Sequence, residues 1–149
     1  MSLIRLLKPC EAVATVFDID YARLRTSGKR AVLFDLDNTL ERGRPTALRS
    51  DTKAYLHELV KSGLRVGIIS NRRYLSAEQK ERLCVEGVPI AFDAGKPRRR
   101  AFRHVMNVMG VRPQETVFIG DRRLTDIAGA NRAGLYSILV RRPAFVPEP

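Results

Sequence analysis

The chain has 149 residues, 44% of them hydrophobic and 29% charged, enough for one domain with a substantial apolar core. No apolar run approaches the roughly 20 residues that cross a bilayer, and the opening MSLIRLLKPC lacks the length and small-residue cleavage site of a secretory signal, so the expected compartment is the cytoplasm. Charge is the unusual quantity: 27 Lys and Arg against 16 Asp and Glu leave +11, a field that draws phosphorylated substrates, nucleic acid or an anionic membrane without choosing among them.

The first 30 residues carry the weakest pattern. SLIRLL reads as one or two helical turns stopped by Pro9, a segment packed on the edge of the domain; an interfacial anchor usually shows a longer amphipathic run. Cys10 and Cys84 are isolated thiols with no Cys-x-x-Cys pair or Cys/His cluster, expected reduced and partly buried. VFDID at 16–20 leads into YARLRTSGKR, where Tyr21 and Leu24 are spaced for a short helix that Gly28 ends. Asp18 or Asp20 therefore suits the helix start, accepting from free backbone N–H groups.

From Ala31 the sequence alternates β-rich runs with helical patterns, the mark of a parallel α/β sheet. AVLFD (31–35), RVGIIS (65–70), TVFIG (116–120) and YSILV (136–140) read as buried strands, and PIAF (89–92) as a shorter fifth. Asp51–Ser62 and Pro97–Met109 read as covering helices: Leu56, Leu59 and Val60 share one face, and Phe102, Val105, Met106 and Met109 recur at helical spacing as core. Pro97 suits a first helical turn, and Gly63, Gly110 and Gly134 suit C-caps. The expected division is a segment 1–30 packed on a domain 31–142, followed by a loose proline-rich tail 143–149.

LFDLDNTL at 33–40 repeats the Asp-x-Asp of 18–20 in a different setting. After Asp37 comes NTLERGRPT, an irregular loop with no helical face, so Asp35 and Asp37 stand beyond the carboxyl end of a strand, where open α/β sheets bind ligands. DLDNTL resembles the first motif, Asp-x-Asp-x-Thr, of the haloacid dehalogenase (HAD) superfamily. The remaining motifs follow in order: Ser70 after VGII, Lys96 in AGKP, and Asp121 and Asp126 in GDRRLTD. From about Phe17 to Val140 the chain is similar to the YqeG-like, IIIA-type HAD phosphatases, relatives of the mitochondrial phosphatidylglycerophosphate phosphatases.

The resemblance implies a three-layer Rossmann-like fold and a Mg²⁺-dependent phosphatase. Asp35 would be the nucleophile and Asp37 the acid and base. Ser70, the N–H of Asn71, Thr39 and Lys96 would hold the phosphate, with Lys96 also offsetting charge on Asp35. The implied metal positions are Asp35, the backbone carbonyl of Asp37, Asp121 and Asp126. Asp126 stays open between supporting the metal through water, holding Lys96 and capping a helix. His57 and His104 are read as surface or packing residues. The Arg98–Arg100 run, and Arg122 and Arg123, stay open between a solvated face and the mouth of the site.

Only 35 residues separate Asp35 from Ser70 and 26 separate Ser70 from Lys96, which leaves no room for a large cap domain. An open site suits a large or membrane-presented phosphorylated substrate, with peripheral contact to an anionic membrane. The alternatives are a nucleotide or polynucleotide-end phosphatase, or a basic RNA- or ribosome-associated protein with incidental phosphatase activity. The lack of Trp and only 7% aromatics offer little stacking platform for the first of these.

Overall fold

The computed structural model describes residues 2–145. Strands β1 (Glu11–Val13), β2 (Ala31–Phe34), β3 (Arg65–Ile69), β4 (Ile90–Ala91), β5 (Thr116–Gly120) and β6 (Tyr136–Val140) form one parallel sheet in the order β1-β6-β5-β2-β3-β4. Helices α1 (Leu3–Leu6), α2 (Tyr21–Thr26), α3 (Ser50–Lys61), α4 (Ala77–Leu83), α5 (Arg100–Met109) and α6 (Ala128–Ala133) cover it. This is the expected α/β Rossmann-like architecture, and among the described residues no large cap interrupts it.

The period of two along each strand sorts side chains into two cores. Val32, Phe34, Val66, Ile68, Val117 and Ile119 face one side, against Leu24 of α2, Leu56 and Leu59 of α3 and Leu83 of α4. Ala31, Leu33 and Phe118 face the other, against Phe102, Val105, Met106 and Met109 of α5 and Ala130 of α6. β2 is buried at every residue because a sheet strand and a helix layer cover it on all sides, which is why it reads as an unbroken apolar run.

Of the first Asp-x-Asp pair, Asp20 caps α2, its Oδ1 accepting from Arg23 N–H at 3.0 Å. Asp18 closes the 3₁₀ turn Val16–Asp18 through Thr15. Both are exposed and structural.

Four features depart from the sequence reading. β1 adds a sixth strand, pairing Glu11–Val13 with Ile138–Val140. It is only three residues long and half-buried, so no alternation could show it. α4 opens with a reciprocal Ser76–Gln79 capping box, but Leu83 is its one buried residue, and a single apolar position makes no stripe. α5 begins at Arg100, so Pro97, joined to Lys96 by a cis bond, lies before the helix and not in its first turn. Cys10 and Cys84 are free but exposed, because each falls at the end of an element, Cys10 just before β1 and Cys84 at the C-cap of α4.

Within the region expected to be a loose tail, Ala144 and Phe145 donate backbone N–H groups to Thr39 and Leu40 carbonyls at 3.0 Å, and Phe145 meets Phe17 edge-on. Residues 146–149 of that tail lie outside the described residues. Among the described residues no helix is long and apolar enough to cross a membrane.

The close approach of α6 to α5 rests on Gly129. A Cβ there would lie 2.7 and 2.8 Å from Phe102 ring carbons and 3.2 Å from Pro97 Cα. In an open helix Gly→Ala would stabilise by about 1 kcal/mol; here the rigid ring turns the sign. Gly129→Ala is expected to cost about 1–3 kcal/mol net and to lower the melting temperature by about 2–4 °C per kcal/mol. Differential scanning calorimetry reads the sign directly.

Candidate active site

The sheet order sets where a ligand can sit. The chain leaves β2 toward β3 and leaves β5 toward β6, in opposite directions along the sheet, so a crevice opens between the carboxyl ends of β2 and β5. Asp35 follows β2, anchored by its N–H to Ile119 O at 2.9 Å, and Asp121 follows β5. Thr39 Oγ1 lies 3.3 Å from both Asp35 Oδ2 and Asp121 Oδ1, a single hydroxyl proton between two carboxylates.

Lys96 is the centre of the arrangement, 5% exposed. Its Nζ donates to Asp35 Oδ1 at 2.8 Å, Asp126 Oδ1 at 2.7 Å and Ile69 O at 2.8 Å, which uses all three ammonium protons. Its main chain is held as firmly: Asn71 Oδ1 accepts Lys96 N–H at 2.8 Å and Asn71 Nδ2 donates to Lys96 O at 3.1 Å. Asp126 completes the frame by accepting the Asp121 and Arg122 N–H groups at Oδ2, at 3.2 and 3.1 Å.

Carboxylate oxygens of Asp35, Asp121 and Asp126 lie within 4.8 Å of one another. Three acids against one ammonium leave two negative charges uncompensated when all are ionised, and the electrostatics follow. Burial pushes the Asp35 carboxyl up to about 6, with Lys96 pulling against it and Asp121 adding to the rise. Burial raises Asp121 and Asp126 as well, Lys96 again opposing at Asp126. Lys96 stays protonated: burial alone would lower it, but Asp126 and Asp35 together outweigh that and hold it above the ordinary lysine value. An all-oxygen donor set with an excess charge of two fits a hard divalent cation. Asp126 accepts three hydrogen bonds, two of them main-chain N–H groups on Oδ2, whereas beyond the Lys96 bond to Asp35 Oδ1, Asp35 and Asp121 share the one Thr39 proton, so Asp35 and Asp121 are the freer ligands.

Asp37 stands across the cleft, its Oδ1 accepting from Arg72 Nη1 at 3.2 Å. Burial raises its pKa, and Arg72 pulls it partly back. Arg72 also donates to Pro45 O at 2.7 Å, while its Nε is buried without a partner. Ser70 is buried, with Oγ accepting Arg72 N–H at 3.1 Å; the Asn71 N–H has no partner among the described residues. The resulting cleft, about 270 Å³, is lined by Asp35, Asp37, Asn71, Lys96, Arg122 and Asp126, with Asn38, Arg44, Arg72 and Thr125.

The residues singled out in the sequence thus meet around one cleft, Thr39, Ser70 and Asp121 through the bonds just given. His57 instead lies against Glu86 O at 3.3 Å, and His104 is exposed on α5. Arg122 lines the cleft, whereas Arg123 donates to Leu7 O at 3.1 Å. The sequence reading missed Arg72, whose only signal was its place two residues after Ser70. It missed Glu41 too, a buried carboxylate whose Oε2 accepts from Arg49 N–H at 2.8 Å and Thr52 Oγ1 at 2.7 Å, tying the loop after Asp37 to the start of α3.

Comparison with known proteins points the same way. Residues 93–148 match a family model described as HAD-hydrolase-like. The chain is 35% identical over 135 residues to the probable phosphatase YqeG of Bacillus subtilis, covering 89% of this chain and 76% of that protein. It is 29% identical to the chloroplastic phosphatidylglycerophosphate phosphatase 1 of Chlamydomonas reinhardtii, covering 95% of this chain but only 55% of the relative. Its fold is similar to the cobalt-bound deoxy-D-mannose-octulosonate 8-phosphate phosphatase of Haemophilus influenzae, with a TM-score of 0.58, 18% identity and coverage of 78% and 71% of the two chains.

Gly120, the last residue of β5, leaves room for Asp126: a Cβ there would lie 2.4 Å from its Cγ and 2.5 Å from its Oδ2. Gly120→Ala is therefore expected to drive Asp126 off Lys96. Breaking a buried charged pair costs about 3–5 kcal/mol, and urea unfolding should show the midpoint fall with little change in slope.

Proposed function

This chain belongs to the YqeG-like phosphatases of the HAD superfamily, and on that footing we propose that it is a Mg²⁺-dependent phosphomonoesterase working through an aspartyl-phosphate on Asp35. The observation that carries the reading is the convergence of Asp35, Asp121, Asp126 and Lys96 at the carboxyl ends of β2, β3 and β5. Asp35 and Asp121, with the Asp37 carbonyl, would hold the cation, which when bound supplies charge neutralisation for a phosphoryl group entering a carboxylate-rich site.

The steps assign themselves to named groups. A carboxylate oxygen of Asp35 forms a bond to phosphorus as the bond to the leaving alkoxide breaks. Asp37, its carboxyl lifted by burial and positioned by Arg72, gives its proton to that alkoxide. It then takes a proton from water as the water oxygen attacks phosphorus, and the bond to Asp35 breaks to release phosphate. Lys96 fixes Asp35 and offsets its charge, so the nucleophile stays ionised despite burial. The Ser70 hydroxyl and the unpartnered Asn71 N–H would donate to phosphoryl oxygens.

The substrate we propose is large and brought to an open cleft, with phosphatidylglycerophosphate the candidate. Support comes from the compact chain between motifs, without a cap, and from the name of the Chlamydomonas relative. The working compartment is the cytoplasmic side of an anionic membrane, met peripherally.

Phosphate release across lipid, nucleotide and sugar monophosphates, with Mg²⁺ and with EDTA, tests this. Asp35→Asn should lose on the order of a thousandfold or more in turnover while unfolding cooperatively like the parent. Turnover that survives either Asp35→Asn or EDTA would remove the mechanism. Magnesium at about 100 times its dissociation constant should also stabilise the fold by about 2.7 kcal/mol, and Asp121→Asn should abolish most of that gain.

A further inference from the structure

The Arg98–Arg100 run takes no part in the cleft. It lines a separate groove of about 680 Å³ along α5, walled by Arg98, Arg99, Arg100, Arg103, Arg132 and His104. No acidic residue lines that groove, and none of the five guanidinium groups pairs with any described residue. Arg98, Arg100 and His104 also line a second groove of about 800 Å³, which reaches Asn71, a wall of the catalytic cleft. Asp93 is the one acid there, and it is occupied by Arg73 at 3.2 Å. A continuous track of unneutralised cations thus leads away from the site. At its head, α5 has no acidic residue in its first turn and no side-chain cap, which leaves the positive end of its dipole uncompensated.

Such a surface is electrostatically unfavourable to the bare protein, since five like charges share one concavity. Guanidinium forks match phosphate oxygens in pairs, and the groove has the volume for a phosphate with its linker. No Phe, Tyr or Trp lines it and His104 is its one ring, so it offers little stacking face for bases. We propose that the groove along α5 binds a second phosphate group carried by the same substrate as the phosphate in the cleft, making the enzyme selective for bis-anionic phosphomonoesters. This rests on the phosphatase reading of the cleft and adds residues that set specificity without touching the reacting atoms.

The test is a length series: α,ω-alkanediol bisphosphates against alkyl monophosphates of equal length. The wild type should favour bisphosphates in kcat/KM, through KM, with a maximum at one chain length where the linker matches the span between the two sites. In Arg99→Gln/Arg103→Gln the ratio should collapse by about tenfold, toward the statistical factor of two. The variant's melting temperature should hold or rise, whereas residues serving the fold would lower it. A ratio that does not change in the variant, or the same proportional loss on both substrate sets, overturns the proposal.

Calorimetry on Asp35→Asn separates the two ideas, because it needs no turnover. There the best bisphosphate should bind at least tenfold tighter than its monophosphate, and the advantage should vanish with the groove arginines. Equal binding overturns the groove proposal even if the enzyme proves active. Absent turnover by the wild type with the advantage intact would instead sink the phosphatase reading alone. Displacement of the bisphosphate by polyuridylate at lower concentration, increasing with polymer length, would overturn the proposal in favour of a nucleic-acid surface.

Discussion

One buried ammonium organises this molecule. Lys96 Nζ has three acceptors, and each comes from a different part of the chain: Asp35 after β2, the Ile69 carbonyl at the end of β3, and Asp126 before α6. An unpaired charge in this position would cost several kcal/mol, so the three segments are obliged to meet where they do. The frame is not neutral even so. With Asp121 beside it, the cluster keeps more carboxylate than cation, and burial then drives every acid in it upward. The site is stable enough to form yet short of positive charge, which is the condition a metal and a phosphoryl group together would meet.

The sheet supplies the rigid part and the loops supply the reach. β2 and β5 are paired in parallel from Ala31 with Thr116 to Phe34 with Ile119, and their buried runs fix the level at which Asp35 and Asp121 emerge. The loop after β2 has no such ladder and is held by single contacts. Asn38, at positive φ, accepts Gly43 N–H at 2.8 Å, and Glu41 anchors the turn to the first residues of α3. Arg72 spans from β3's following loop to Asp37 and Pro45, so the Asp37 side of the cleft is set by a residue from the opposite wall.

What the sequence made legible follows from range. The long strands are buried on both faces and announce themselves as apolar runs, and the amphipathic period of α5 exposes its core side. Asp35 could be told from Asp18 because the residues just after each differ: a helix-forming run in one case, an irregular loop in the other. Features that depend on a single contact between distant residues left no mark. The Asn71 side-chain amide gripping the backbone of Lys96 is one, the Arg72–Asp37 pair another; neither contact shows until the fold brings its two partners together. Short elements such as β1 and α4 were hidden for a related reason, since three residues or one buried leucine carry no period.

The brace on the Thr39 loop bears on biosynthesis. The carbonyls of Thr39 and Leu40 are satisfied by Ala144 and Phe145, and Arg42 N–H returns to the Phe145 carbonyl at 3.0 Å. During translation the first half of this three-bond clasp is synthesised long before the second. At about 5–20 residues per second, the interval is on the order of 5–20 s. Throughout it the nascent polypeptide carries the Thr39–Leu40 segment without this clasp, which can close only after the last strand has been made.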